Sequence, residues 1–177
     1  MRKQNDKEYY KSTGSEGGLL DESVGGFFSA SGVTERVAKK LAEAIGADVY
    51  QIRPAVPYSK VDLNWTNARS RSSVEMNDKS YRPKLADMDA PVTETDIIFI
   101  GFPVWWYREP SIIDSFLEAY DFSEKKIVPF ITSGGSGIGA EAPRRIAEFS
   151  KAEVLKGKRF TAGVSSDELK AWAESMV

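Results

Sequence analysis

With 177 residues, 41% of them apolar and 28% charged, the chain has the make-up of one globular domain, and no stretch approaches the ~18 apolar residues of a membrane span. Its 24 basic and 26 acidic side chains leave a net charge of −2 without a long single-sign run, so neither nucleic acid nor a membrane surface is an expected partner. The absence of Cys and His rules out a thiolate nucleophile, a disulfide, a Ser-His-Asp triad and a Cys/His zinc site, so any redox chemistry must come from a bound cofactor.

Residues 1–22 are polar, charged and Gly-rich without apolar periodicity. They read as a disordered or loosely attached leader carrying neither a secretory signal nor a lipoprotein anchor, which makes the cytoplasm the expected location. One folded domain is expected over 23–177. Two Phe then run into Ser29-Ala30-Ser31-Gly32-Val33-Thr34, after which Val33, Val37, Leu41 and Ile45 recur every four residues up to Gly46. This pattern predicts an amphipathic helix with a glycine stop. Ala47–Ile52 alternates as a half-buried strand, ended by Pro54.

From Pro54 to Pro91 the chain is rich in Pro, Ser, Asn and Asp, with one short helical turn expected around Ser72–Met76. Asn64, Trp65, Arg71 and Ser72 are candidates to cover a cofactor or touch a substrate; a structural loop with Arg71 paired to Glu75 is the competing reading. Ile97–Ile100 is an unbroken apolar run, the pattern of a strand buried on both faces of a parallel sheet. A helix with Pro110 in its first turn and an Ile112/Ile113/Phe116/Leu117 stripe follows. Ile127–Ile131 is a further apolar run, in which Pro129 lacks a ladder donor and predicts irregular pairing. After TSGGSGIG come a helix with Ala142, Ile146 and Phe149 on one side, a short strand at Lys158–Ala162, and a last helix carrying Leu169, Trp172, Ala173 and Met176. The alternation of strands and helices describes a parallel sheet covered on both faces.

Ligands of such sheets bind beyond the carboxyl ends of the strands, where SASGVT, GFPVWWY and TSGGSGIG fall. SASGVT precedes a helix, so backbone N–H groups, hydroxyls and the helix dipole can hold a phosphate, with no lysine of the P-loop kind; a plain N-cap at Ser31 or Thr34 is the alternative. Trp105, Trp106 and Tyr107 form either a stacking surface for a flat ligand or a surface aromatic cluster. TSGGSGIG supplies either backbone donors or a flexible turn.

From about Phe27 to the C-terminus the sequence resembles the flavodoxins and flavodoxin-like proteins. FSASGVT is similar to the family's phosphate loop, GFPVWW to the loop flanking the isoalloxazine ring, and TSGGSGIG to the third cofactor loop. DLNWTNARSRSSVEMND and FLEAYDFSEKKIVPF resemble a subgroup with a long second loop. The resemblance implies an α/β three-layer sandwich whose five-stranded parallel sheet has the order 2-1-3-4-5, with helices on both faces and FMN at the first and third strand ends; flavodoxin is the type example of that order.

It further implies phosphate binding by Ser29, Ser31, Gly32, Val33 and Thr34. Ring contacts would come from Pro103, Val104, Trp105, Trp106 and Tyr107, and contacts to the ring edge or ribityl chain from Thr132, Ser133, Gly134, Gly135, Ser136 and Gly137. No catalytic side chain and no metal ligand are implied. The family's first strand would correspond to Glu22–Phe28, where Gly25 and Gly26 predict a short or poorly ordered strand.

The expected function is electron transfer through non-covalently bound FMN, serving a redox partner protein. The alternatives are an FMN-dependent reductase passing hydride from NAD(P)H to a quinone-type acceptor, and a cofactor-free interaction domain with a degraded first strand. The oligomeric state stays open.

Overall fold

The computed structural model describes residues 9–10, 20 and 23–177. The elements in chain order are β1 (Tyr9–Tyr10), β2 (Ser23–Phe27), α1 (Val33–Ile45), β3 (Asp48–Gln51), α2 (Arg71–Asn77) and β4 (Ile97–Pro103), followed by α3 (Ser111–Ala119), β5 (Lys126–Thr132), α4 (Glu141–Ser150), β6 (Glu153–Val154), β7 (Lys158–Phe160) and α5 (Ser166–Glu174). Of the expected leader, Tyr9 and Tyr10 pair antiparallel with β3 and Leu20 is buried in the core; the rest lies outside the described residues. Among the described residues no helix is long and apolar enough to cross a membrane.

The strand path runs β1-β3-β2-β4-β5-β6, with β7 on the same edge of β5 as its second partner. Apart from β1 every pairing is parallel, so the main sheet has the expected order 2-1-3-4-5, its fifth strand split into β6 and β7. The split has a local cause. The edge ladder breaks opposite Pro129, which has no N–H to give, and the chain passes so close there that a side chain at Gly157 would meet the Pro129 carbonyl at 2.7 Å. On its other side β5 keeps an unbroken register with β4, Ile100 standing opposite Pro129. The irregular pairing expected from Pro129 falls on the outer edge alone; the strand expected at Lys158–Ala162 is β7, ending at Phe160, and β6 is an additional short strand before it.

β2 meets the first half of the expectation set by Gly25 and Gly26. It is short, yet it pairs over its length with β3 on one side and β4 on the other, and all five of its residues are buried. Two glycines suffice because the neighbours fill the space: a Cβ at Gly25 would meet Ala42 Cβ and Val49 Cγ2 at 3.9 Å, so α1 packs close against the strand.

Alternating strand residues divide the core. Ile98, Ile100, Phe102, Ile127 and Ile131 face α3 and α4, packing with Ile112, Phe116 and Ile146. Phe99, Val128 and Phe130 face α1 and α5, packing with Val37, Leu41, Leu169 and Trp172. At Gly101 the ring of Phe130 occupies the place of a side chain, 2.2 Å from where a Cβ would stand.

The glycines therefore differ in what they permit. Gly25→Ala, with contacts no shorter than 3.6 Å, should stabilise the protein by ~0.5–1 kcal/mol through lost unfolded-state freedom. Gly101→Ala should destabilise it by ~1–3 kcal/mol through overpacking. Urea unfolding of the two variants measures both.

Candidate functional site

The site forms where β2, β4 and β5 end. Beyond Phe27 the chain keeps one more ladder bond, Phe28 N–H to the Gly101 carbonyl at 3.0 Å, and then turns. Gly32 closes the turn at φ 89°, a left-handed backbone that favours glycine. Its N–H donates to Ser29 Oγ at 3.0 Å. Among the described residues no side chain caps α1, so the N–H groups of its first turn and the positive end of its dipole are presented at residues 33–35. A side chain at Gly32 would meet Arg36 Nη1 at 3.8 Å, which places this guanidinium over the turn. The Thr34 hydroxyl points away from solvent to Thr132 Oγ1, 2.7 Å distant, and stitches the start of α1 to the end of β5.

After β4, Val104 leads into a two-residue turn. Trp105 N–H donates to the Arg108 carbonyl at 2.9 Å and Arg108 N–H returns to the Trp105 carbonyl at 3.1 Å, leaving Trp106 and Tyr107 at the tip. Both have positive φ, 47° and 65°. Such turns favour Asn-Gly, and a bulky residue in this region costs ~1–2 kcal/mol, so the tip is strained. Tyr107 is nevertheless 82% exposed and Trp106 37% exposed, so little apolar burial offsets that strain at Tyr107. Trp105 behaves differently: its ring stands edge-on to Phe28 at 5.5 Å and to Tyr58 at 5.4 Å, and forms a packed floor.

The 54–91 connection is folded over this floor. Arg71 Nε bonds Glu75 Oε1 at 2.8 Å, as the i+4 spacing anticipated, and its guanidinium lies 4.0 Å over the Tyr58 ring. The Tyr58 hydroxyl donates to Glu75 Oε2, and burial followed by that carboxylate pushes its pKa well above the usual tyrosine value. Asn64 accepts from Thr66 within its own turn.

A cavity of about 550 Å³ results, within the range of small-molecule sites. Among the expected residues it brings together Ser31, Pro103, Val104, Trp105, Trp106, Tyr107 and Ser136, and it takes Trp65 and Ser72 from the long connection while Asn64 and Arg71 stay outside its wall. No lining residue carries a charge. Ala30 and Leu63 complete the wall; sequence reasoning passed over both, although Leu63 is an isolated apolar residue in a polar stretch. Ser29 lines a neighbouring cavity of about 470 Å³ that shares Ala30 with the first.

The remaining expected residues are not in the wall of the first cavity. Gly32, Val33 and Thr34 form the helix start. Thr132 is engaged with Thr34. Ser133 donates to the Ser136 carbonyl and accepts from Arg159 Nε at 3.0 Å. A side chain at Gly134, Gly135 or Gly137 would meet nothing within 4 Å, so the backbone there is open to close approach.

Comparison with solved structures places this geometry among relatives. A Bacteroides eggerthii protein classed as a flavoprotein superposes with a TM-score of 0.81 and 38% identity, covering 88% of this chain and 97% of its own. A Bacteroides uniformis protein of the same class does so with 0.81 and 39%, covering 88% and 99%. The Lactobacillus acidophilus flavoprotein in complex with FMN shares the fold at 18% identity and a TM-score of 0.64, covering 86% and 99%. No curated protein matches the chain. The flavodoxin family model matches residues 23–176, and the chain belongs to the flavodoxin family.

Proposed function

We propose that the chain holds FMN with the phosphate on the 29–34 turn and the ring in the adjoining aromatic cavity, and that it carries electrons between redox partners. The observation that carries this reading is continuity: the uncapped start of α1 and the charge-free cavity meet at Ala30 and Ser31. FMN has the matching asymmetry, an anion at one end and a flat, largely apolar ring at the other. FMN is the cofactor, and when bound it supplies the electron-accepting and electron-releasing chemistry.

The residues divide the remaining work. Backbone N–H groups of residues 33–35, with the Ser29 and Ser31 hydroxyls, hold the phosphate, an arrangement suited to helix N-termini. Arg36 adds a positive charge above the turn. Trp106 and Tyr107 wall the ring from water, while Trp65 and Ser72 approach from the long connection. The open backbone at Gly134, Gly135 and Gly137 admits the ring edge or ribityl chain. An apolar wall disfavours negative charge on a reduced ring and lowers its potential.

Titration of the purified protein should quench flavin fluorescence at micromolar or lower FMN, and NADPH alone should leave the bound flavin oxidised; no binding in that range would sink the cofactor assignment. Trp106→Ala should weaken FMN by roughly fivefold, about 1 kcal/mol of aromatic contact. Arg36→Gln should weaken FMN about two- to fivefold and leave riboflavin unaffected, as expected of an exposed charge on a phosphate. Tyr107→Gly should raise the urea stability of the apoprotein by about 1 kcal/mol by relieving the positive φ, and lower FMN affinity.

A further inference from the structure

The strained tip at Trp106 and Tyr107 needs a hold that its own chemistry does not provide, and one lies directly beneath it. The Arg108 side chain is 2% exposed and donates to the Glu109 carbonyl at 3.0 Å, the Met76 carbonyl at 3.3 Å and Ser111 Oγ at 3.3 Å. Its Nη1 lies 3.7 Å from Glu109 Oε1 and 3.5 Å from Asp114 Oδ2. Arg145 of α4 reaches the same two carboxyls, Nε to Glu109 Oε1 and Nη2 to Asp114 Oδ2, each at 2.6 Å. One buried cluster thus ties the ring-flanking turn to α2, α3 and α4, the elements that carry the other cavity loops.

The cluster has a gap in its hydrogen bonding. Glu109 and Asp114 are fully buried, and Glu109 Oε2 and Asp114 Oδ1 have no hydrogen-bond donor among the described residues. Two ionised carboxylates side by side offer only acceptors, whereas a proton on Glu109 turns one of them into a donor towards the other.

We infer that Arg108, Glu109, Asp114 and Arg145 position the Trp106–Tyr107 turn as a unit, that Glu109 holds a proton which it donates to Asp114, and that losing this proton loosens the turn and weakens FMN binding. Burial, then the charge of Asp114, push the Glu109 carboxyl up to about 8. The other charged groups around it are already engaged. Arg82 lies 3.8 Å from Asp114 Oδ2 but is forked onto Glu118, and Lys79 pairs with Glu141 at 2.5 Å. The Glu75 carboxylate of α2 is turned to Arg71 and Tyr58. The stability that protonated Glu109 contributes is full below the ordinary carboxyl range and is lost as pH rises through about 8.

The effect on FMN rests on the cofactor reading above; the effect on the turn does not. The test follows the full chain from about pH 7 to about pH 9, recording near-ultraviolet circular dichroism of the apoprotein indoles and the FMN dissociation constant. For the native protein the dichroism should change with a midpoint near pH 8 and FMN should weaken about tenfold by pH 9. Glu109→Gln, which keeps a donor without a titratable proton, should flatten both profiles while binding FMN as the native protein does at neutral pH. Should that variant not fold, Asp114→Asn is measured instead; it removes the neighbouring charge but leaves the Glu109 carboxyl, so both midpoints should move to lower pH. A pH-independent native spectrum, or a variant that keeps the native pH profile, would overturn the proposal. A dichroism transition without any FMN binding would support the positioning unit and count against the cofactor reading alone.

Discussion

The whole site hangs from β2, whose backbone is hydrogen-bonded to β3 on one side and β4 on the other. Pairing on both edges fixes the direction in which the chain leaves the sheet at Phe28, and hence where α1 begins. α1 lies against this strand, with Ala42 Cβ 3.9 Å from where a Gly25 Cβ would stand, an ordinary packing distance. The helix start is aimed by the backbone path from Phe28 through the left-handed turn at Gly32. The Thr34–Thr132 bond then locks that aim to the end of β5.

Energy is spent unevenly around the cavity. The floor made by Phe28, Tyr58 and Trp105 is packed edge-to-face and contributes stability. The rim does the opposite, holding two bulky aromatics at positive φ with one of them largely in water. Strain of this kind persists only when the surroundings over-determine it. The buried ionic cluster under the turn does so at its own desolvation cost, which is why its partners are so closely shared.

Much of this was legible in the sequence, and the reasons are physical. α1 and α5 announced themselves by apolar spacing, and β4 by an unbroken apolar run, because burial on one stripe or on two faces leaves a local signature. The three loops could be placed at one sheet end for the same reason. What stayed hidden depends on distant residues. The division of the fifth strand into β6 and β7 follows from Pro129 across the sheet, not from residues 153–160 themselves. Arg108, Glu109, Asp114 and Arg145 look like ordinary surface charges, and only the packing of α3 on α4 makes them a buried cluster. Trp105 and Trp106 are neighbours with equal claims to a flat ligand, yet one packs into the floor and the other stands at the rim.

The central claim is that the start of α1 and the aromatic rim belong to one ligand. Mapping amide and indole N–H resonances by NMR while FMN is added tests it most directly. The account predicts simultaneous shifts at Gly32, Val33, Thr34 and Glu35 and at the indole of Trp106, with riboflavin moving the indole but not the helix start. Shifts confined to one of the two regions, or falling elsewhere on the protein, would contradict it.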